Sequence, residues 1–277
     1  MREDFNKEVF DTLPDSVWRG KMPSLPGSRP LLKAVVCTAA ALSIPLAVML
    51  FRKPSVEVAP IAQSAITYTV NPSLRGKVTL PDSTLVTLGP GSTLTLGEDF
   101  GKGSRTVRLD GEALFDVHKD ESRPFFVLTP SDVTVKVTGT QFNVSSYSDA
   151  PGFDLTLIKG SVSVITPQKE TIEVKPSEKI VIGASGQKRI SEVSAPEEAA
   201  VWTRGVLKFN NTPLREAIGR IEKWYDVKIE VTDEQVYRSS ITAEFHSETL
   251  SEVLDLLCIT SRLAYTESEG EIKLCKK

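Results

Sequence analysis

Short runs in which apolar and polar residues alternate fill the middle of this chain and constrain its fold more than any other feature. The runs recur at spacings of about ten residues, and helical periodicity is nearly absent between residues 75 and 190. Because successive side chains of a strand point to opposite faces, each run predicts a half-buried strand. The runs are Thr84–Leu88, Thr93–Leu96, Arg105–Leu109, Val133–Val137, Asp154–Ile158, Thr171–Val174 and Lys179–Ile182. They predict an all-β sandwich, barrel or β-roll, so the chain is expected to be mainly β.

Turn-compatible residues separate these runs. The pairs Pro81-Asp82, Asp110-Gly111 and Lys159-Gly160 each predict a turn, because Pro, Asp and Gly favour turn backbone. The glycine cluster Gly97–Ser104 is one residue short of a phosphate-loop pattern, and no helical pattern follows it. We therefore expect a hairpin loop there.

Two helices alternate with short strands after residue 200. Thr212 is predicted to cap the first helix, with Pro213 in its first turn. Thr249 is predicted to begin the second, with Glu252 completing a capping box. The expected buried stripes are Leu214, Ala217, Ile218, Ile221 and Trp224 on the first helix, and Leu250, Val253, Leu254 and Leu257 on the second.

The strands predicted between and around these helices would form one small sheet. They are Val206–Phe209, Val227–Val231, Ile241–Phe245, Leu263–Thr266 and Glu271–Leu274. Two helices packed on one face of that sheet would make a small α+β sandwich.

An uncharged run of 18 residues, Ala34–Phe51, lies near the N-terminus. A buried core helix, a cleaved signal peptide and an uncleaved anchor are the three interpretations. The run has no polar face, it is longer than the apolar core of most signal peptides, and Arg52 and Lys53 follow it where small residues should lead to cleavage, which together favour the anchor. Basic residues before the run, among them Arg19, Lys21, Arg29 and Lys33, outnumber Arg52 and Lys53 directly after it, so the charge bias favours a cytoplasmic N-terminus.

These patterns predict six segments. They are a short cytoplasmic tail (1–30), a transmembrane helix (31–51), a linker (52–70), a β-rich domain (71–192), a second linker or short helix (193–204) and a small α+β domain (205–277). The tail is expected to be either disordered or to form one short amphipathic helix.

Composition excludes several kinds of function. The chain has 36 acidic and 33 basic residues, a net charge of −3, which is too balanced for an electrostatic nucleic-acid binder. Its two histidines and three cysteines have no metal-ligand spacing. His118 lies near Asp116 without a nucleophile, so a solvated polar edge is the expected role. No catalytic residue, cofactor or metal is predicted, and pairing of Cys258 with Cys275 stays open.

Several longer strings, in this order, resemble the FecR family of transmembrane anti-sigma regulators, in the form common in Bacteroidetes. The matching strings are Val78–Leu88, Gly91–Leu94, Leu109–Val117, Arg123–Phe126, Val137–Val144 and Leu157–Val162. The stretch from Trp202 to Leu274 resembles the small secretin/TonB N-terminal-like domain that commonly follows in that family. Within the β region, Gly111 and Gly139 suit hairpin turns of positive φ, and Leu114, Phe115 and Phe142 suit the core.

The resemblance implies a single-pass inner-membrane regulator, not an enzyme, with residues after about 52 in the periplasm. Its implied partners are the signalling domain of an outer-membrane TonB-dependent transporter and an extracytoplasmic-function sigma factor, with no direct contact to nucleic acid. The 30-residue tail is shorter than the family's sigma-binding region. A minimal sigma-binding peptide, a shortened gene model and a loss of that function therefore stay open. The alternative is a membrane-tethered periplasmic scaffold or adaptor.

Two strands of the last domain are candidates for partner binding, because a short edge strand can accept a further strand through its unpaired backbone groups. The candidate residues are Val206, Lys208, Phe209, Ile241, Thr242 and Phe245. The alternative is that both strands are interior and fully paired.

Overall fold

The computed structural model describes residues 65–268 and 271–277. Within them, thirteen strands precede residue 193. Strands β1 to β13 are Thr67–Thr69, Gly76–Thr79, Leu85–Leu88, Thr93–Leu96, Arg105–Asp116, Phe125–Leu128, Thr134–Val137, Gln141–Tyr147, Ala150–Lys159, Val162–Ile165, Thr171–Val174, Glu178–Gly183 and Lys188–Glu192. Strand β1 falls inside the segment predicted as a linker, where its three residues pair with β4.

The later elements begin with a 3₁₀ helix, Pro196–Arg204. They continue as β14 (Leu207–Pro213), α1 (Leu214–Tyr225), β15 (Ile229–Val231), a second 3₁₀ helix (Glu234–Arg238), β16 (Ser240–Phe245), α2 (Leu250–Ser261), β17 (Leu263–Ser268) and β18 (Glu271–Lys276).

Two sheets share the long strand β5. Its first half pairs with β4 and β6, and its second half pairs with β3 and β8. One sheet therefore runs β1-β4-β5-β6-β7-β10-β11 and the other runs β2-β3-β5-β8-β9-β12-β13. Nearly all neighbours are antiparallel, and the β5–β6 pair is parallel. The predicted mainly β architecture is confirmed.

Strand β5 changes sheets at Gly111, where the sequence predicted a turn. That prediction is wrong: Asp110 and Gly111 lie inside a twelve-residue strand. Gly111 does have a positive φ of 133°, as expected, but at a bend instead of a hairpin. A Cβ at this position would lie 2.3 Å from the Ser92 hydroxyl, so only glycine lets the two segments approach. The loop predicted at Gly97–Ser104 is confirmed between β4 and β5.

The alternating residues that face inward fill the space between the two sheets. Phe115 stacks on Phe142 at 5.1 Å between ring centroids and meets Phe125 edge-on at 6.0 Å. All three rings are fully buried. Leu114, which was predicted as a core residue, is only half-buried because it points to the other face of β5.

A buried arginine closes one end of this core. Arg105 is 1 % exposed, and its guanidinium lies 3.3 Å from a carboxylate oxygen of Asp82, which is 4 % exposed. The same guanidinium donates hydrogen bonds to the backbone carbonyls of Arg123, His118 and Asp120 at 2.7, 2.9 and 3.1 Å. Burying this charge is tolerable because it is both paired and hydrogen-bonded.

A second, separate core lies among the elements after residue 205. Its strands form two sheets, where one was predicted. Strands β14 and β16 make a two-stranded sheet, and β15, β18 and β17 make a three-stranded one with β18 in the centre. We call the residues around the first core the β domain and those around the second the C-terminal module. The predicted boundaries at 71–192 and 205–277 stay predictions.

The helix starts of the C-terminal module confirm one prediction and correct another. Thr249 and Glu252 form the predicted capping box at α2. Thr212 does not cap α1, because β14 extends through it and Pro213 occupies the cap position without a side-chain bond. The stripe on α1 is buried as predicted except for the half-buried Trp224, and on α2 Leu250 is half-buried.

The predictions for the tail, for the transmembrane helix 31–51 and for most of the first linker lie outside the described residues. Among residues 65–268 and 271–277, no helix is both long enough and apolar enough to cross a bilayer.

Candidate partner-binding surface and the interdomain contact

The two strands proposed for partner binding pair with each other. Leu207 lies opposite Phe245, and Lys208 lies opposite Glu244, in an antiparallel register. Within the described residues, neither β14 nor β16 has a second strand partner. The outer edge of each strand is therefore free of a neighbouring strand in this part of the chain.

A bulge bends β14 midway. The register shifts between Phe209 and Thr212, and Asn211 adopts a positive φ of 47°. Asparagine tolerates this conformation better than most residues. Its backbone N–H donates to the Thr242 hydroxyl at 2.9 Å, and its side-chain oxygen accepts from Ser240 at 2.7 Å. The bulge is thus tied to the partner strand.

Most of the six candidate residues point inward or are partly covered. Phe209 and Phe245 are buried and meet edge-to-face at 6.2 Å, and Ile241 is buried beside them. Val206 is half-buried just before β14 begins. Thr242 is exposed and Lys208 is half-buried on the outer face. A strand added here would be held by backbone groups, since the apolar side chains already belong to the core.

Charged residues line the outer face of this small sheet. The Lys208 ammonium lies 2.8 Å from Glu198 and 3.3 Å from Glu244, and Glu244 lies 3.2 Å from the His246 imidazole. The hydrogen bond that Lys208 donates to Glu198 is the main reason that the pKa of Lys208 is raised. These ion pairs give the outer face of the sheet charges of both signs.

Sequence reasoning missed a buried polar relay between the β domain and the 3₁₀ helix at 196–204. The Trp202 indole N–H donates to the Asn143 side-chain oxygen at 3.0 Å, and the Asn143 amide donates to Glu112 at 3.0 Å. Trp202 is 3 % exposed. The signal was a tryptophan in a segment otherwise typical of a linker, because a tryptophan that large is seldom left in solvent.

The surroundings of the Glu112 carboxyl disfavour its charged form, because burial removes the carboxyl from water. Burial raises the pKa of its carboxyl above the usual value of 4.5, while the Arg220 charge and the Asn143 amide act in the opposite direction. Arg220 comes from α1 of the C-terminal module. Electrostatics therefore link the two regions at this point.

The C-terminal end of α1 makes the other contacts to the β domain. The Lys223 ammonium lies 3.0 and 2.8 Å from the two carboxylate oxygens of Asp149 and 4.6 Å from the Tyr147 ring centroid. The Tyr147 hydroxyl donates to the Pro90 carbonyl at 3.0 Å, and burial raises the pKa of this tyrosine. The guanidinium of Arg75 lies 4.7 Å above the Trp224 ring.

The described residues hold no cluster of three or more His, Cys, Asp or Glu side chains arranged to bind a metal. Cys258 and Cys275 are both free thiols. Burial is the main cause of a raised pKa at Cys258, so this thiol is a weak nucleophile. His118 and Asp116 are both exposed.

Two family models match the chain in the order of its two cores. The model described as FecR protein matches residues 66–163, and the model described as FecR, C-terminal, matches residues 206–274. A crystal structure at 1.65 Å of a "putative anti-sigma factor" from Parabacteroides distasonis ATCC 8503 is 30 % identical, with a TM-score of 0.71. The similarity covers 76 % of this chain and 99 % of that one.

This chain belongs to the FecR family. A second crystal structure from P. distasonis, at 2.50 Å and named in the same words, also has 30 % identity and a TM-score of 0.71, over 77 % of this chain and 99 % of that chain. No curated protein matches the chain. Membership in this family of regulators agrees with the prediction of a non-enzymatic role, and the resemblance noted in the sequence is confirmed.

Proposed function

We propose that this FecR-family chain is a single-pass inner-membrane regulator of the anti-sigma type. Its N-terminal tail lies in the cytoplasm, and residues after about 52 lie in the periplasm. It relays a signal from an outer-membrane TonB-dependent transporter to a cytoplasmic extracytoplasmic-function sigma factor. The observation that carries this proposal is that both FecR modules occur in order. The uncharged run Ala34–Phe51 upstream supports the membrane anchor.

In this proposal, the transporter's signalling domain contributes a strand to the free edge of β14 or β16. Each of these strands has one partner among the described residues, which leaves backbone donors and acceptors for an added strand. The mixed charges of Lys208 and Glu244 on the outer face would then help to set the register.

Reporter fusions test the topology directly. A fusion at residue 28 should give a cytoplasmic signal, and a fusion after residue 60 should give a periplasmic one. Reversed signals would contradict the proposed orientation. Release of residues 60–277 as a soluble product during unstimulated growth would contradict the anchor.

Recovery of a sigma factor separates the regulator from the alternative, a tethered scaffold or adaptor without sigma-factor binding. The full chain, solubilised from membranes, should retain a sigma factor that a variant lacking residues 1–30 does not. No sigma factor with either chain, together with unchanged reporter output on gene deletion, would favour the scaffold, and equal recovery with both chains would contradict binding through the tail.

Proline substitutions test the edge strands, because each removes one backbone donor. Lys208→Pro and Thr242→Pro should each weaken binding of the full chain to a transporter signalling domain. Thr266→Pro is the matched control, since Thr266 is an exposed residue of β17, an edge strand of the other sheet. If binding survives both changes while circular dichroism shows a folded chain, strand addition at these edges is wrong.

A further inference from the structure

Strand β1 adjoins the segment predicted to lead from the membrane, and few contacts hold it in its sheet. It has three residues, pairs with β4 alone and lies at a sheet edge. Beyond the ladder, the Leu96 N–H donates to the Ile66 carbonyl and the Val70 N–H donates to the Ser92 carbonyl, both at 2.9 Å. A short edge strand of this kind opens locally at low free-energy cost.

The loop that follows β1 is held by α1 of the C-terminal module. The Ser73 backbone N–H donates to the Lys223 carbonyl at 2.8 Å. Two residues on, Arg75 lies over the Trp224 ring. The loop between β1 and β2 therefore contacts the C-terminal module through both backbone and side chain.

Helix geometry explains the backbone contact. The last four carbonyl groups of a helix have no partner within it, and Lys223 lies in the last turn of α1. Ser73 has a positive φ of 61°, which is uncommon for serine and places its N–H against that carbonyl. A strained backbone position that satisfies a helix end is a specific contact.

The side chain of Lys223 fixes the same helix end to a second loop. It binds both carboxylate oxygens of Asp149 between β8 and β9, and the lysine side chain is 19 % exposed while Asp149 is 60 % exposed. The lysine is thus the enclosed member of the pair. The end of α1 therefore contacts two loops of the β domain, and one of these loops directly follows β1.

We propose that the C-terminal end of α1 is a clamp that couples the C-terminal module to β1. When the clamp is closed, it restrains the loop at residues 71–75 and keeps β1 paired with β4. When the module moves, the loop is released and β1 detaches, which frees the segment leading toward the membrane. The direction of this relay rests on the proposed function, whereas the coupling itself does not.

Hydrogen exchange of the full chain in detergent tests the coupling. The double variant Arg75→Ala/Lys223→Met removes both side-chain contacts. We expect the exchange of the amides of residues 67–70 to rise about tenfold, with β5 amides unchanged, since edge strands open independently of a core strand. The matched control is Arg215→Ala, because Arg215 is on the same helix but packs on Tyr237 within the module.

If the amides of residues 67–70 exchange at the wild-type rate in the double variant while β5 stays protected, the proposed clamp is wrong. If the double variant loses protection in β5 as well, the single variant Arg75→Ala is decisive, because it removes the contact of the loop with Trp224 without altering α1. Faster β1 exchange with protected β5 in Arg75→Ala supports the clamp, and unchanged β1 exchange overturns it. Neither readout depends on membrane orientation or on a sigma factor, so a failed topology experiment is distinguishable from a failed clamp.

Discussion

The β domain and the C-terminal module bury their residues in different ways. The β domain encloses a charged pair, Arg105 and Asp82, and holds two sheets together through one shared strand. The buried side chains of the C-terminal module are almost entirely apolar, and its ion pairs lie at the surface. Its sheets have two and three strands, and its helix α2 exposes Leu256 and Ile259.

This contrast indicates that the two regions differ in rigidity and in how much surface they leave free. A buried, fully satisfied charge fixes the surrounding loops in one arrangement, and a strand shared by two sheets couples them mechanically. Small sheets with free edges and exposed apolar residues instead leave surface for a partner. The β domain has the features of a rigid frame, and the C-terminal module has the free strand edges that the proposed strand addition uses.

The largest expected effect is at the buried charge. Arg105→Met leaves Asp82 buried without its partner, so the free energy of unfolding of the β domain should fall by about 3–5 kcal/mol. Urea denaturation followed at β-domain signals measures this loss. Arg215→Met removes an exposed ion pair of the C-terminal module, and it should change the free energy of unfolding of that module by less than about 1 kcal/mol. Equal losses of unfolding free energy for Arg105→Met and Arg215→Met would contradict the contrast between a buried and an exposed ion pair.

The next effect is at the shared strand. Gly111→Ala adds a Cβ where the Ser92 side chain and backbone lie within 2.7 Å, in a backbone conformation that alanine avoids. The free energy of unfolding should fall by at least about 2 kcal/mol. Gly103→Ala is the control, because a Cβ there meets nothing within 4 Å. A stable Gly111→Ala domain would mean that the two sheets can separate at β5.

A smaller effect is expected in the C-terminal module. Thr249→Ala removes the capping box of α2 and should destabilise the module by about 1 kcal/mol, without changing the β domain. Hydrogen exchange resolved by peptide measures the two regions separately. Thr266→Ala, at an exposed strand position, is the matched control. An equal loss in both regions would show that they unfold as one unit.

The smallest effect is a pH dependence where the two regions meet. Because the pKa of Glu112 is raised in the folded state, its contribution is fully present below about pH 4.5 and is lost as pH rises through the folded value. Glu112→Gln should therefore have a higher Tm than wild type at pH 8, and this difference should shrink toward pH 4.5. Melting curves across that range measure it. A lower Tm for Glu112→Gln at pH 8 would mean that the attraction of Arg220 outweighs burial.

The sequence predicts local periodicity well and long-range placement poorly. The runs Thr93–Leu96 and Thr171–Val174 are strands at the predicted bounds, because alternation is a local property. The capping box at Thr249 is equally local. The Asp110-Gly111 pair looked like a turn because a sharp bend and a turn demand the same backbone freedom, and only the pairing of both halves of β5 distinguishes them.

The contacts between the two regions depend on residues far apart in the chain. Lys223 and Asp149 are separated by 74 positions, and Trp202 and Asn143 by 59. No spacing rule connects such residues, so neither contact was predicted. The edge strands were identified from alternation, but their pairing with each other follows from the connection through α1 and β15, which brings β16 back beside β14.

The central position of β18 has a consequence for the order in which the chain assembles. All thirteen described strands of the β domain precede residue 193, so that domain can close as soon as residues up to 193 have reached the compartment in which they fold. Strand β15 has β18 as its only strand partner among the described residues, and β18 begins at Glu271. The three-stranded sheet therefore forms only after β18 has arrived, and until then the surface that the sheet covers is open to chaperones and proteases. A chain interrupted before Glu271 would carry a complete β domain and an incomplete C-terminal module, which quality control could recognise by its exposed apolar helix faces.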